Sequence, residues 1–123
     1  DVTLQEGALI YYDLKELIEL DNAELLVIEI DGRLVACGYA QIRPAKTYLI
    51  HKEYAHLGFM FVLPEYRGQG LNQQLIEGLK SWVRSRGIKE VRLQVYTENN
   101  AAVRAYEKAG FKQLLTEMRY ELE

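Results

Sequence analysis

The residues best suited to chemistry lie in one run, Val62-Leu63-Pro64-Glu65-Tyr66-Arg67-Gly68-Gln69-Gly70-Leu71-Asn72. An apolar strand feeds through a Pro-containing turn into an Arg-Gly-Gln-Gly loop, and the loop opens directly into an amphipathic helix. Such a loop gathers free backbone N–H groups at a helix N-terminus, where the aligned peptide dipoles favour negative charge. Gly68 and Gly70 let the backbone approach a bulky anion, and Arg67 adds a positive fork that suits phosphate oxygens. The chemistry implied is a cradle for pyrophosphate. The loop lacks the Lys-Ser/Thr ending of a P-loop, and Gln73 breaks the Gly-x-Gly-x-x-Gly pattern, so nucleoside triphosphate and dinucleotide sites are poor alternatives.

The elements that must position this loop follow from periodicity. Leu9, Ile10, Leu14, Leu17 and Ile18 stripe a helix over about 8–20. Residues 24–30 read as a strand, Asp31-Gly32 as a two-residue hairpin turn, and residues 34–42 as the antiparallel partner, with Gly38 marking a bulge or a close approach. After a loop at Arg43–Lys46, residues 48–62 are extended, as one long strand or two short ones. Leu71, Leu75, Leu79, Trp82 and Val83 stripe a second long helix that Arg86-Gly87 closes. Val91, Leu93 and Val95 alternate as a further strand. A short helix from about Ala101 to Lys108 stops at Gly110, and residues 111–122 supply one or two closing strands. The order α-β-β-β-α-β-α-β predicts a mixed α/β layer fold around one sheet.

Composition sets outer bounds. A chain of 123 residues with 49% apolar and 27% charged residues fits one globular domain. A net charge of −3 argues against nucleic-acid binding through a general electrostatic surface. No apolar run reaches the roughly 20 residues of a membrane span. The single cysteine, Cys37, excludes an intrachain disulfide framework and suits a reducing cytoplasm; its neighbours Ala36 and Gly38 mark it as a small core residue rather than a nucleophile. Two histidines and no paired cysteine give no metal site. The chain opens on Asp1 rather than Met, and a preceding segment is expected to have been removed or left out.

A second block completes the pattern: Asn99, then Tyr106 seven positions later, then Gly110-Phe111. With Arg67-Gly68-Gln69-Gly70-Leu71-Asn72, which matches (Gln/Arg)-x-x-Gly-x-(Gly/Ala) in all but its last position, the chain resembles the GNAT superfamily of acyl-CoA-dependent N-acyltransferases over almost its whole length. The resemblance implies one GNAT domain over 1–123, with a central, mostly antiparallel sheet splayed between the family's strands 4 and 5 and flanking helices, and it allows that the family's N-terminal strand or helix is lacking here. It implies acetyl-CoA as co-substrate and no metal. Backbone groups of Met60, Phe61 and Val62 would pair with the pantetheine arm, amides from Arg67 to Asn72 (Gly68, Gln69, Gly70 and Leu71 between them) would hold the pyrophosphate, Asn99 would bond the pantetheine, and Tyr106 would protonate the departing thiolate. A tyrosine with unperturbed pKa of about 10 keeps its proton at neutral pH and can donate it. An N–H at the strand end, such as that of Val62, suits a developing oxyanion.

The chain departs from the family pattern twice. Position 72 is Asn where Gly or Ala is usual. Many relatives carry an acidic general base in the strand before the loop, and here Gly58 and Phe59 stand at the nearest positions, so that role is vacant. His56 and His51 are candidates because histidine titrates near neutrality, with Glu53 and Tyr54 of equal standing to them. An ordinary strand or loop residue remains the weightier reading of each, and His56 leads as the nearest along the strand to the reactive end. The expectation is therefore a cytoplasmic N-acetyltransferase acting on an amine-bearing acceptor by direct attack in a ternary complex, with a homodimer allowed by a free sheet edge. A non-catalytic acyl-CoA binder or interaction module on the same fold is the alternative.

Overall fold

The structure is a computed structural model, and it describes residues 21–46 and 50–123. The predicted helix over 8–20 lies outside the described residues. Strands β1 (Ala23–Ile30) and β2 (Arg33–Pro44) form the expected hairpin. Asp31 and Gly32 both take positive φ, 51° and 78°, the conformation in which a two-residue turn matches the strands' own twist. β3 (Glu53–Val62) runs antiparallel to β2 from Pro44↔Glu53 to Ala36↔Val62. A short 3₁₀ turn (Pro64–Tyr66) leads to helix α1 (Leu71–Ser85), then β4 (Val91–Arg92) and helix α2 (Asn100–Lys108). The sheet order is β1-β2-β3-β4, with β4 parallel to β3.

One face of this sheet is covered by α1. Leu71, Leu75, Leu79 and Val83 recur every fourth residue and, with Ile76, are buried. They pack on Ala36, Ala40, Ala55 and Leu57, with Leu26, Met60 and Val62 at the margins. Small alanines on the central strands let the helix lie close. Gly38 is a close-approach point as expected: a Cβ there would sit 2.5 Å from the Met60 sulfur.

Two expectations fail at the far edge. The strand read through Val91, Leu93 and Val95 is cut to Val91–Arg92, because β3 pairs with it only at Ala55↔Val91 and His56↔Arg92. The closing strands expected over 111–122 do not form: beyond Phe111 the residues carry no ladder and are exposed. Alternation of apolar and polar residues makes a segment amphipathic when extended, but a strand also needs a partner edge.

Leu79 has no exposed surface and joins α1 to the central strands. Leu79→Ala should lower unfolding free energy by about 2–5 kcal/mol with an unchanged denaturant slope in urea titration.

Candidate active site

The site begins where β3 loses its second neighbour. The ladder with β2 continues to Val62, but its register slips: Tyr39 faces Gly58 and Cys37 faces Phe61, so Phe59 and Met60 together stand opposite Gly38. This two-for-one bulge, three residues beyond the last pair with β4, shifts which peptide groups of β3 face β2. Backbone directions follow from the fixed points on either side. The Ala55 N–H donates to Glu90 on the β4 side, and the Leu63 N–H donates to Val35 on the β2 side. Alternation then turns the peptide groups of Phe61 towards β2 and those of Met60 and Val62 towards the open gap. Of the three residues expected to meet the pantetheine arm, Met60 and Val62 turn their N–H and C=O to the gap, and Phe61 turns its own towards β2.

The loop after β3 keeps its amides exposed. Gly68 and Gly70 take φ of 79° and 80°, and a Cβ built on either meets nothing within 4 Å, so backbone conformation, not space, calls for glycine. Gly70 caps α1 without a side-chain bond, and the first turn holds no acidic residue. Among the described residues no backbone carbonyl accepts from the amides of Gly68 to Gln73; the first such bond is Gln74 N–H to Gly70, 3.1 Å. Leu71 buries its side chain while its amide stays in this row, and Asn72 follows it half-buried. Arg67 is not a free fork. Its Nε donates to the Val62 carbonyl at 3.1 Å, fastening the loop to the end of β3 and leaving the other guanidinium nitrogens for an anion.

Across the gap, Asn99 begins α2. Its Oδ1 accepts from the Ala102 N–H at 3.2 Å and its own N–H donates to Tyr96. The cap uses the acceptor end of the side chain and leaves the Nδ2 amide as a donor. Tyr106, two helical turns on, is half-buried with its ring edge-on to Phe111, centroids 5.7 Å apart. The Phe111 N–H donates to the Tyr106 carbonyl, and Gly110 makes the turn at φ 103°.

The base candidates separate by position. β3 spans roughly 30 Å at the usual strand rise, and His51, Glu53 and Tyr54 lie at or before its far end from the loop. His56 sits where the fork opens, on the sheet face away from α1, with its ring centroid 6.1 Å from that of Tyr39. Burial first, then the Arg43 charge, pushes its imidazole below the usual histidine value, so the ring is neutral at pH 7. Four residues of strand, roughly 13 Å, part it from Met60, a distance that water must bridge.

Sequence reasoning missed Tyr39. It is buried, and its phenol lies over Gly58: a Cβ at that position would stand 2.5 Å from the ring and hydroxyl. The aromatic ring thus occupies the space an acidic side chain would need, which accounts physically for the vacancy at position 58. Only the cross-strand register brings the two together. Cys37 is half-buried rather than core, and burial raises its thiol pKa. Among the described residues no group of three or more His, Cys, Asp or Glu could hold a metal ion, and no helix is long and apolar enough to cross a membrane.

The acetyltransferase (GNAT) family model matches residues 3–111. The chain belongs to this family. It is 26% identical over 102 residues to the aminoglycoside N(6')-acetyltransferase type 1 of Stenotrophomonas maltophilia, covering 80% of this chain and 65% of that protein. An uncharacterised N-acetyltransferase of Methanocaldococcus jannaschii is 30% identical over 102 residues, 80% of this chain and 43% of that protein. The chain thus spans between two fifths and two thirds of the length of these relatives. Among solved structures, aminoglycoside N-acetyltransferase AAC(6')-Iy in complex with CoA shares the fold with a TM-score of 0.82 at 21% identity, covering 98% of this chain and 90% of that one. The glucosamine-6-phosphate N-acetyltransferase of Arabidopsis thaliana does so with a TM-score of 0.71 at 24% identity, covering 91% and 76%. The parallel fork between β3 and β4 is the gap the family places between its strands 4 and 5.

Two outcomes test this geometry. The lowered His56 pKa means the unfolded chain binds a proton more readily than the folded one just below the unperturbed value of about 6.5. Stability should therefore fall as pH drops from 7 through that value, His56→Gln should flatten the fall, and the imidazole should titrate below 6.5 by NMR. Gly58→Ala should cost about 1–3 kcal/mol by displacing Tyr39, a loss that a further Tyr39→Leu change largely removes in a double-mutant cycle.

Proposed function

We propose that residues 1–123 form one acetyl-CoA-dependent N-acetyltransferase domain that acetylates a primary amine by direct attack in a ternary complex. The observation that carries the reading is continuity: a β3 edge with no strand beside it beyond His56, with Met60 and Val62 turned into a gap, runs straight into a row of amides that have no backbone acceptor among the described residues. An extended amide-bearing chain ending in a pyrophosphate has the hydrogen-bonding pattern that this edge and loop lack. Bound acetyl-CoA supplies the acetyl group as an activated thioester. The loop amides from Gly68 to Asn72, helped by Arg67, hold the diphosphate, and the Asn99 Nδ2 donates to the amide arm.

The chain's own residues then have distinct tasks. The N–H of Val62 donates to the carbonyl oxygen as negative charge builds on it, and that of Met60 pairs with the amide arm of the co-substrate. Neutral His56 accepts, through water, the proton that the acceptor amine sheds. As the new C–N bond forms and the C–S bond breaks, the Tyr106 hydroxyl donates its proton to the leaving sulfur. The relatives named as aminoglycoside acetyltransferases support an amine on a polycationic sugar among the acceptors. The single cysteine and this co-substrate support a cytoplasmic location.

An acceptor screen that includes aminoglycosides, read by released thiol, tests the reaction. Tyr106→Phe should lower turnover by about 100-fold or more while acetyl-CoA affinity stays within a factor of about two; unchanged turnover overturns the general-acid role. A second reading, an acyl-CoA binder without transfer, draws on the Tyr39 ring filling the place of an acidic base. Acetyl-CoA binding with no thiol release from any amine would favour it.

A further inference from the structure

Among the described residues Tyr39 alone is both buried and the bearer of a side-chain hydroxyl. Packing by itself needs only the ring. The phenol comes to Gly58 by its outer end: Cε1, Cζ and the hydroxyl oxygen stand 2.5–2.6 Å from the place a Cβ would take there. Tyr39 faces Gly58 in the ladder as Gln41 faces His56. Ala55 and Leu57 pack under α1, so His56 and Gly58 present the opposite face of the sheet. The Tyr39 ring lies there too, its centroid 6.1 Å from that of His56.

That position is midway along a path the reaction requires. Roughly 13 Å of strand part His56 from Met60, and Gly58 stands roughly 7 Å from each. Since α1 packs on the other face, the polar route between the gap and His56 runs past the Tyr39 hydroxyl. Around His56 the described residues place Gln41 and Arg43 on β2, joined by a 3.1 Å bond, and Tyr54 on β3 itself. On β4 stands Arg92, stacked over Tyr54 and paired with Glu90. Two guanidinium groups against one carboxylate disfavour a charged imidazole, so a proton arriving at His56 passes on to water.

We infer that the Tyr39 hydroxyl relays to His56 the proton that the acceptor amine sheds, an inference that rests on the acetyl-transfer reading above. As the C–N bond forms, an N–H bond of the amine breaks and its proton passes, through water at the gap, to the Tyr39 oxygen. The phenol's own proton passes in the same step to the unprotonated ring nitrogen of His56. Tyr39 is neutral before and after, the positive charge moves from the acceptor nitrogen to the imidazole, and no tyrosinate forms. A hydroxyl with a pKa of about 10 thus serves at neutral pH as a relay, where it is no base on its own. The ring that fills the place of an acidic side chain also supplies the oxygen such a side chain would bring.

Tyr39→Phe tests the relay, because it keeps the ring over Gly58 and removes only the oxygen. Turnover of the variant is measured across acceptors graded in amine pKa, from those charged at pH 7 to those largely neutral there. The charged amines should lose about tenfold or more and the neutral ones less than about twofold, whereas a disturbed fold slows both alike. His56→Gln should add little further loss in the double variant, since both changes interrupt one path. NMR titration of His56 needs no acetyl transfer. A hydroxyl donating towards neutral imidazole favours that form, so Tyr39→Phe should raise the imidazole pKa. Equal losses across the amines, additive losses in the double variant, or an unmoved imidazole would each overturn the relay. Wild-type turnover at background with every amine is the separate outcome that overturns the acetyl-transfer reading, and the relay falls with it.

Discussion

The structure depends on one asymmetry, a strand paired fully on one side and for two residues on the other. β3 is held by β2 from Glu53 to Val62, yet meets β4 only at Ala55 and His56. Its bulge at Phe59–Met60 fixes which peptide groups face the gap. Burial of the opposite side of β3 under α1 makes the break tolerable, since Ala55, Leu57, Met60 and Val62 all pack into the two apolar clusters. Unpaired backbone at a gap is costly only where water or ligand cannot reach it.

The same asymmetry divides the chemistry by face and by height. The closed part of the fork holds His56, desolvated and beside Arg43, a setting that keeps the imidazole uncharged. The open part holds unpaired amides and then the glycine loop, a setting that favours negative charge. Arg67 ties the two together through the Val62 carbonyl. Its contact is exposed and modest in energy, and it spans from the loop back to the last residue of β3.

What was legible in the sequence was local. The Asp31-Gly32 turn and the Arg-Gly-Gln-Gly loop were readable because they express backbone demands of a few residues, positive φ and free N–H groups. α1 was readable because a buried stripe at four-residue spacing has one interpretation at that length. Register was not legible. The orientation of Phe61 and the meeting of Tyr39 with Gly58 depend on a bulge that no residue type announces. The sequence predicts one or two closing strands over 111–122, whereas an apolar pattern says which side chains want burial and nothing about where a partner is. The family resemblance located the site but left the base open, and the geometry explains the gap by the ring that fills it.

Gly70 gives α1 a start without a cap. A helix of fifteen residues ordinarily satisfies one of its first amides with a Ser, Asp or Asn side chain, and this one has neither that oxygen nor an acidic first turn. An anion seated in the loop therefore completes the helix as well as binding to it. Ligand occupancy and the stability of the helix end are therefore linked, so an anion that fills the loop also stabilises the first turn of α1.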